Sequence, residues 1–220
     1  IRVSNPAETE IISYEYYYIG EQDRPDVLAT KLYNDPTLYW LFWMVNDHLA
    51  TYDDWPKSER ILEKFIKRKY VGKALISNLP TDITKNPSVD QNNQPIPHTF
   101  VMGEKVVGST SSAFGYVTKI DPTNNQIILN DIVGSFQNNE IVTGSKSDKS
   151  FTLSSVQNFK DRPHHYETEE GIKTSVSTGN TVVSNELYEQ RFNEDKRTIR
   201  YIKFNEVGAL LREFKQFIRV

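Results

Sequence analysis

An α+β chain is predicted, in which helical segments toward both ends of the sequence enclose a small all-β module. Three observations predict it. Apolar residues recur at helical spacing after Ser58 and again after Asn205. Across residues 100–156 the period falls from 3.6 to 2, which marks strands. Within that stretch FVMGEKVVGSTS (Phe100 to Ser111) aligns with FQNNEIVTGSKS (Phe136 to Ser147), 36 positions on, with six of twelve residues identical. Phe114 and Phe151 follow the two copies at nearly the same distance, so two related hairpins are expected here, residues 100–158 forming one inserted module.

The elements follow in order. Residues 1–13 carry turn formers and charge without periodicity and are expected to be an arm. Tyr14 to Ile19 (YEYYYI) has the aromatic content of a strand. Asp23 is placed to cap a first helix, with Pro25 in its opening turn and Val27, Leu28 and Leu32 on one face. Asn34-Asp35-Pro36 ends that helix and starts a second, Pro36 to about Asn46, whose LYWLFWMV core is apolar all round and calls for cover on every side. Ser58 caps a third helix, which closes a unit at 14–72. Pro80, Pro87, Pro95 and Pro97 place a linker at 73–99. Beyond the β module, residues 159–185 read as a loop and a hairpin turning at Gly179-Asn180. Residues 186–220 read as helix, strand (Arg197 to Phe204) and a final amphipathic helix with Val207, Leu210, Leu211, Phe214, Phe217 and Ile218 on one stripe.

Composition narrows the chemistry. The 220 residues include no Cys, which removes disulfides, thiol nucleophiles and the common structural zinc sites. A formal charge of −3 argues against nucleic acid as the partner. The longest run without a polar residue, Leu38 to Val45, is far short of the ~20 residues of a membrane helix. The chain opens on Ile1 with no charged-then-apolar leader, so a trimmed polypeptide without a signal peptide is expected. The pair His164-His165 with Glu167 is a metal-ligand candidate only by composition, because neighbouring strand residues project apart and the H-E-x-x-H spacing is absent. No nucleotide-binding or nucleophile-elbow motif is present, and Lys64, Lys67, Arg68, Lys69 and Lys73 fall on a helix side opposite Phe65 and Tyr70. A non-enzymatic protein is expected, with no cofactor, no metal, no nucleic acid, no membrane and no small-molecule substrate.

The aromatic residues are concentrated rather than spread. Eleven of the 26 lie between Tyr14 and Trp55. In that stretch YYYIGEQDRPDVLATKLYNDPTLYWLFWMVND (Tyr16 to Asp47) resembles a LysM-type βααβ module of phage tail proteins. The likeness rests on the RPD start at Arg24, Leu28-Ala29, the Tyr33-Asn34-Asp35-Pro36 junction, the Leu38-Tyr39-Trp40 run and Asn46. Gln22-Asp23-Arg24-Pro25 stands where cell-wall-binding LysM modules usually carry G-D-T-L. Tyr52-Asp53-Asp54-Trp55, Lys196-Arg197-Thr198-Ile199-Arg200 and the final helix extend the resemblance to the LysM-containing baseplate wedge proteins of contractile-tailed bacteriophages. The resemblance implies a structural subunit of the virion's tail baseplate, assembled in the host cytoplasm, that clamps neighbouring wedge subunits and helps wedges join around the hub. It does not account for the β module. The alternative is a peptidoglycan-binding LysM protein. Residues expected to contact partners or shape the module are Arg24, Tyr33, Trp40, Trp43 and Asn46, with Leu210, Phe214 and Phe217 on the last helix.

Overall fold

The computed structural model describes residues 14–77, 88–89, 95–96, 99–174 and 178–218, without side chains at 88–89, 95–96 and 217–218. The expected N-terminal arm and most of the expected linker lie outside them. The chain is α+β, as predicted, and divides into two compact units, Ile1–Glu63 with Gln190–Val220, and Lys64–Glu189. The division falls within the helices α3 (Glu59–Lys69) and α4 (Asn185–Asp195).

In the first unit, β1 (Tyr14–Tyr18) is followed by α1 (Pro25–Tyr33), a 3-10 turn (Pro36–Tyr39) and α2 (Trp40–Val45). β13 (Thr198–Ile202) and α5 (Phe204–Ile218) come from the far end of the chain. β1 and β13 pair antiparallel, with Tyr17 opposite Ile199. Ile19, Leu28, Ala29, Tyr33, Leu41, Phe42, Leu49, Ile199 and Ile202 form the core. Two expectations need correction. Asp23 does not cap α1, because its carboxylate is taken by the Gly20 amide at 2.8 Å and the Tyr17 hydroxyl at 2.9 Å. The second helix is not continuous from Pro36: Asp35 accepts from the Thr37 amide at 2.8 Å and starts a 3-10 turn, and only Trp40–Val45 is α-helical.

In the second unit a closed barrel has the strand order β2-β7-β6-β5-β8-β9, with every pair antiparallel. Its strands are β2 (Lys73–Ser77), β5 (Lys105–Gly108), β6 (Phe114–Asp121), β7 (Gln126–Val133), β8 (Ile141–Gly144) and β9 (Ser150–Asn158). Two short strands, β3 (Ser88–Val89) and β4 (Pro95–Ile96), pair with each other. Leu75, Phe100, Val106, Val117, Ile127, Leu129, Val142, Phe151 and Leu153 fill the barrel. Lys73–Ser77 was expected in a linker but is the strand that closes the barrel between β7 and β9. Its central residues Ala74 and Leu75 are fully buried. The hairpin expected at Gly179-Asn180 is also corrected. β11 (Lys173–Thr174) and β12 (Thr181–Ser184) do not pair with each other but lie on either side of β10 (Pro163–Glu167).

The near-repeat is matched bond for bond. Gly103 and Asn139, and likewise Ser112 and Asp148, take the same positive φ in the two copies. The Gly103 amide donates to Val117 O and the Asn139 amide to Leu153 O, both at 2.7 Å. The identical glutamates are exchanged between copies. Glu140 accepts from the Thr110 and Ser111 amides and the Ser111 hydroxyl of the first turn; Glu104 accepts from the Lys146 and Ser147 amides and the Ser147 hydroxyl of the second. The repeated glycines follow from this crossing, since a Cβ at Gly108 or Gly144 would lie 2.6 Å from the carboxylate of Glu140 or Glu104. The symmetry reaches the remaining strands. Leu75 opposes Val156 as Ile127 opposes Ile120, and each strand pair carries a bulge at the same step, so β2 completes the second copy as β7 completes the first.

Burial pushes the Glu140 carboxyl upward, but hydrogen bonds from the amides of Ser111 and Gln137 outweigh it and hold the group below its ordinary value. The stability it contributes is therefore present above the usual glutamate range and is lost as pH falls through the depressed value. Glu140→Ala, which strands buried amide donors, should cost about 3 kcal/mol in urea unfolding. Hydrogen exchange should show the crossing directly: Glu140→Gln should speed exchange at Thr110 and Ser111, and Glu104→Gln at Lys146 and Ser147.

Candidate interaction site in the aromatic module

α2 is too short to fold alone and its sequence leaves little choice of surface, since all six residues are apolar. Leu41 and Phe42 face the core. Trp40 and Trp43 are half-buried, and Tyr39 and Met44 stay exposed, so the cover expected on every side of this helix is incomplete among the described residues.

Asn46 ends α2 and is 1% exposed. Its side-chain amide donates to Phe42 O and Arg200 O, each at 2.8 Å, and its carbonyl oxygen accepts from the Arg200 amide at 2.8 Å. The carboxamide thus bonds the β13 backbone as a neighbouring strand would, on the edge opposite β1. Trp43 donates its indole N–H to Thr51 O at 2.8 Å, stacks on Tyr52 at 5.8 Å and meets Trp55 at 5.4 Å. Trp55 in turn donates to Asp23 O at 2.8 Å. Tyr33 stacks on Phe42, and burial pushes its phenol up to about 12.

The other expected residues fall differently. Arg24 is the last residue before α1, with its side chain 71% exposed beside Asp26 at 3.1 Å. Leu210 packs against the core, and the Phe214 ring lies 5.2 Å from that of Trp40 while remaining 39% exposed. The side chain of Phe217 lies outside the described residues. Tyr33, Trp40, Trp43, Asn46, Leu210 and Phe214 are brought together around α2; Arg24 is not joined to them by any contact among the described residues.

Two residues of this unit were missed as site residues. Arg197 is 6% exposed and donates to Ile19 O at 2.9 Å and Lys57 O at 3.2 Å, while its guanidinium also pairs with Glu21 and with Glu194. Lys196 donates to Asp54 at 3.0 Å, and that bond with those from Thr51 outweighs burial and lowers the Asp54 carboxyl to about 2. The dibasic pair and the Asp53-Asp54 pair were visible in sequence, but nothing in their spacing says that residues 142 positions apart meet.

His164 and His165 do not project apart as expected. A register shift between Pro163 and His165 breaks the strand alternation, bringing their Nδ1 atoms to 2.9 Å, with His164 stacked on Tyr188 at 3.8 Å. Burial, followed by the charge of His165, lowers the His164 imidazole below its usual value. Among the described residues no group of three His, Asp or Glu side chains has the arrangement of a metal site.

Comparison with known sequences bears on the same segment. A model of the family described as base plate wedge protein 53 matches residues 8–79. The segment resembles a phage baseplate wedge protein. A curated relative, baseplate wedge protein gp53 of Enterobacteria phage T4, is 37% identical over 54 residues, which make up 24% of this chain and 28% of that protein. The chain therefore matches little more than a quarter of the relative's length. The matched residues contain β1, α1 and α2, so the resemblance and the aromatic cluster coincide.

Two outcomes are expected. Asn46→Ala should lower the unfolding free energy by about 2–3 kcal/mol, and Asn46→Asp by more, because a carboxylate oxygen would face two carbonyls in place of the amide N–H donors. Lys196→Ala should move the Asp54 carboxyl back up toward the ordinary aspartate range in an NMR titration. Since the wild-type pKa is depressed, the stability this pair supplies should be present above about pH 4 and be lost toward about pH 2.

Proposed function

We propose that this protein is a non-enzymatic structural component of a phage tail baseplate wedge, assembled in the host cytoplasm, that clamps neighbouring wedge subunits and helps wedges join around the hub. The observation that carries the reading is the family match over the aromatic module. The surface chemistry supports it. Interfaces between subunits favour Trp, Tyr and Arg at their centres. Here Trp40 and Phe214 make a ring pair open to solvent on one side, next to Tyr39 and Met44. Trp40, Trp43, Leu210, Phe214 and Phe217 are proposed to bind the partner. Tyr33 and Asn46 act inside the module and shape it, and Arg24 lies at its exposed edge.

The order β1, α1, α2, β13 is also that of a LysM-like βααβ unit in which a long insertion precedes the last strand. In this reading the module has kept the packing of a carbohydrate-binding domain for use in protein contacts.

Co-expression with the other wedge proteins of the same phage tests the reading. The chain should co-purify with at least one of them, and Trp40→Ala with Phe214→Ala should weaken that complex at least tenfold while the barrel retains its thermal unfolding. Binding to purified sacculi with no wedge complex formed would favour the peptidoglycan-binding alternative.

A further inference from the structure

The internal duplication of the barrel provides a reference for its own surface. Inside, the two copies hold like with like: Val106 with Val142, Val117 with Leu153, Glu104 with Glu140. Side chains alternate along a strand, so the neighbours of these residues face outward. There the copies differ, and in both directions, since Lys105 of the first copy stands where the second has Ile141. Val107, Phe114 and Tyr116 of the first copy stand where the second has Thr143, Ser150 and Thr152.

The register makes the apolar set contiguous. Val107 lies opposite Phe114, Phe114 opposite Val133, and Lys105 opposite Tyr116. Val133 is 55% exposed and Tyr116 40%. Across the copy boundary Ile141, 50% exposed, joins the same face through its strand's pairing with β5. Single exposed apolar residues are ordinary, but a continuous row of them is the mark of a contact surface. Barrel folding does not require Val107, Phe114 and Tyr116, since the second copy builds the same strand pair and turn with hydroxyl side chains in their places.

The charge on this face defines what covers it. The Lys105 ammonium sits 3.9 Å from the centre of the Phe114 ring, and among the described residues it forms no ion pair with a carboxylate. A surface that buried the surrounding rings would strip water from this ammonium, which is tolerated only with an anion supplied alongside. We propose that the outer face of β5 and β6 docks a protein partner presenting apolar side chains around a carboxylate. This face lies outside the 8–79 match, and the partner is defined by its chemistry, so the inference does not depend on the family reading.

The test writes the second copy's residues onto the first in the full-length chain: Val107→Thr, Phe114→Ser and Tyr116→Thr together, with Lys105→Glu as a separate variant. The probes are the purified proteins encoded alongside this chain, titrated singly by biolayer interferometry. At least one should bind the unaltered chain, with affinity falling at least tenfold in both variants, while thermal unfolding of the barrel stays within a few degrees. Ser155→Ala, in β9 and two strands away from β5, should leave binding unchanged. Equal binding by all variants, or binding by none of the proteins, would overturn the proposal. So would sedimentation showing that the wild type self-associates through this face, which would make the occupant a second copy. Protection of amides 105–107 and 114–116 beyond ordinary strand pairing in the isolated chain would overturn it as well, because the face would then be covered from within.

Discussion

The first unit depends on a strand pair whose two members lie at opposite ends of the sequence. The Ile19 carbonyl is reached by the Arg197 guanidinium 178 positions later, and the Tyr14–Tyr18 strand runs against Thr198–Ile202 with no slip in register. A two-stranded ribbon is marginal in water by itself. Here both sides of β13 are occupied, by β1 on one edge and by the Asn46 carboxamide on the other. That amide, together with the Arg200 guanidinium that donates to Val45 O at 2.9 Å, ties α2 to the sheet. With α2 held, Phe42 and Leu41 reach the core, and Trp43 reaches the stack with Tyr52 and Trp55. The cost of closing so long a loop grows slowly with its length, so an inserted unit of more than a hundred residues is tolerated between the paired strands.

Arg197 is the second fastener. It is nearly fully buried, and its donors reach backbone carbonyls at Ile19 and Lys57 as well as the carboxylates of Glu21 and Glu194. A buried guanidinium is tolerated only when its donors are satisfied, and a lysine would lack the fork to reach these partners at once. The barrel solves its own closure by other means, crossing Glu104 and Glu140 between the copies so that each copy's turn is held by the other. Neither turn is complete without its counterpart, which binds the two halves more firmly than strand pairing alone.

Much of this was legible in sequence wherever a signal is local. The 3.6 period gave α5, the shift to period 2 gave the barrel strands, and six identities in twelve residues gave the duplication. Asn46 stood out because it closes a recognisable pattern. What escaped was set by distant partners. KALIS at Lys73–Ser77 is a short apolar run beside a Pro- and Asn-rich stretch, and only its pairing with β7 and β9 makes it a strand. Its equivalence to QIILN in β7 is carried by register, since Ile76 and Ile128 are the only identical pair among the matched positions from 74 to 77. Asp23 obeyed the rule for a helix cap, but Gly20 and Tyr17 offered it better donors. The two histidines followed strand alternation on paper and broke it at a bulge.

The C-terminal strand completes the aromatic module. The direct measurement is near-UV circular dichroism with amide hydrogen exchange on the chain ended after Asp195, compared with the full chain. The truncated chain should lose the signal of the packed Trp40, Trp43 and Trp55 rings and the protection of the Tyr17 amide, while barrel amides such as Val106 and Leu129 keep theirs. Retention of the tryptophan signal and of Tyr17 protection without β13 would contradict the account.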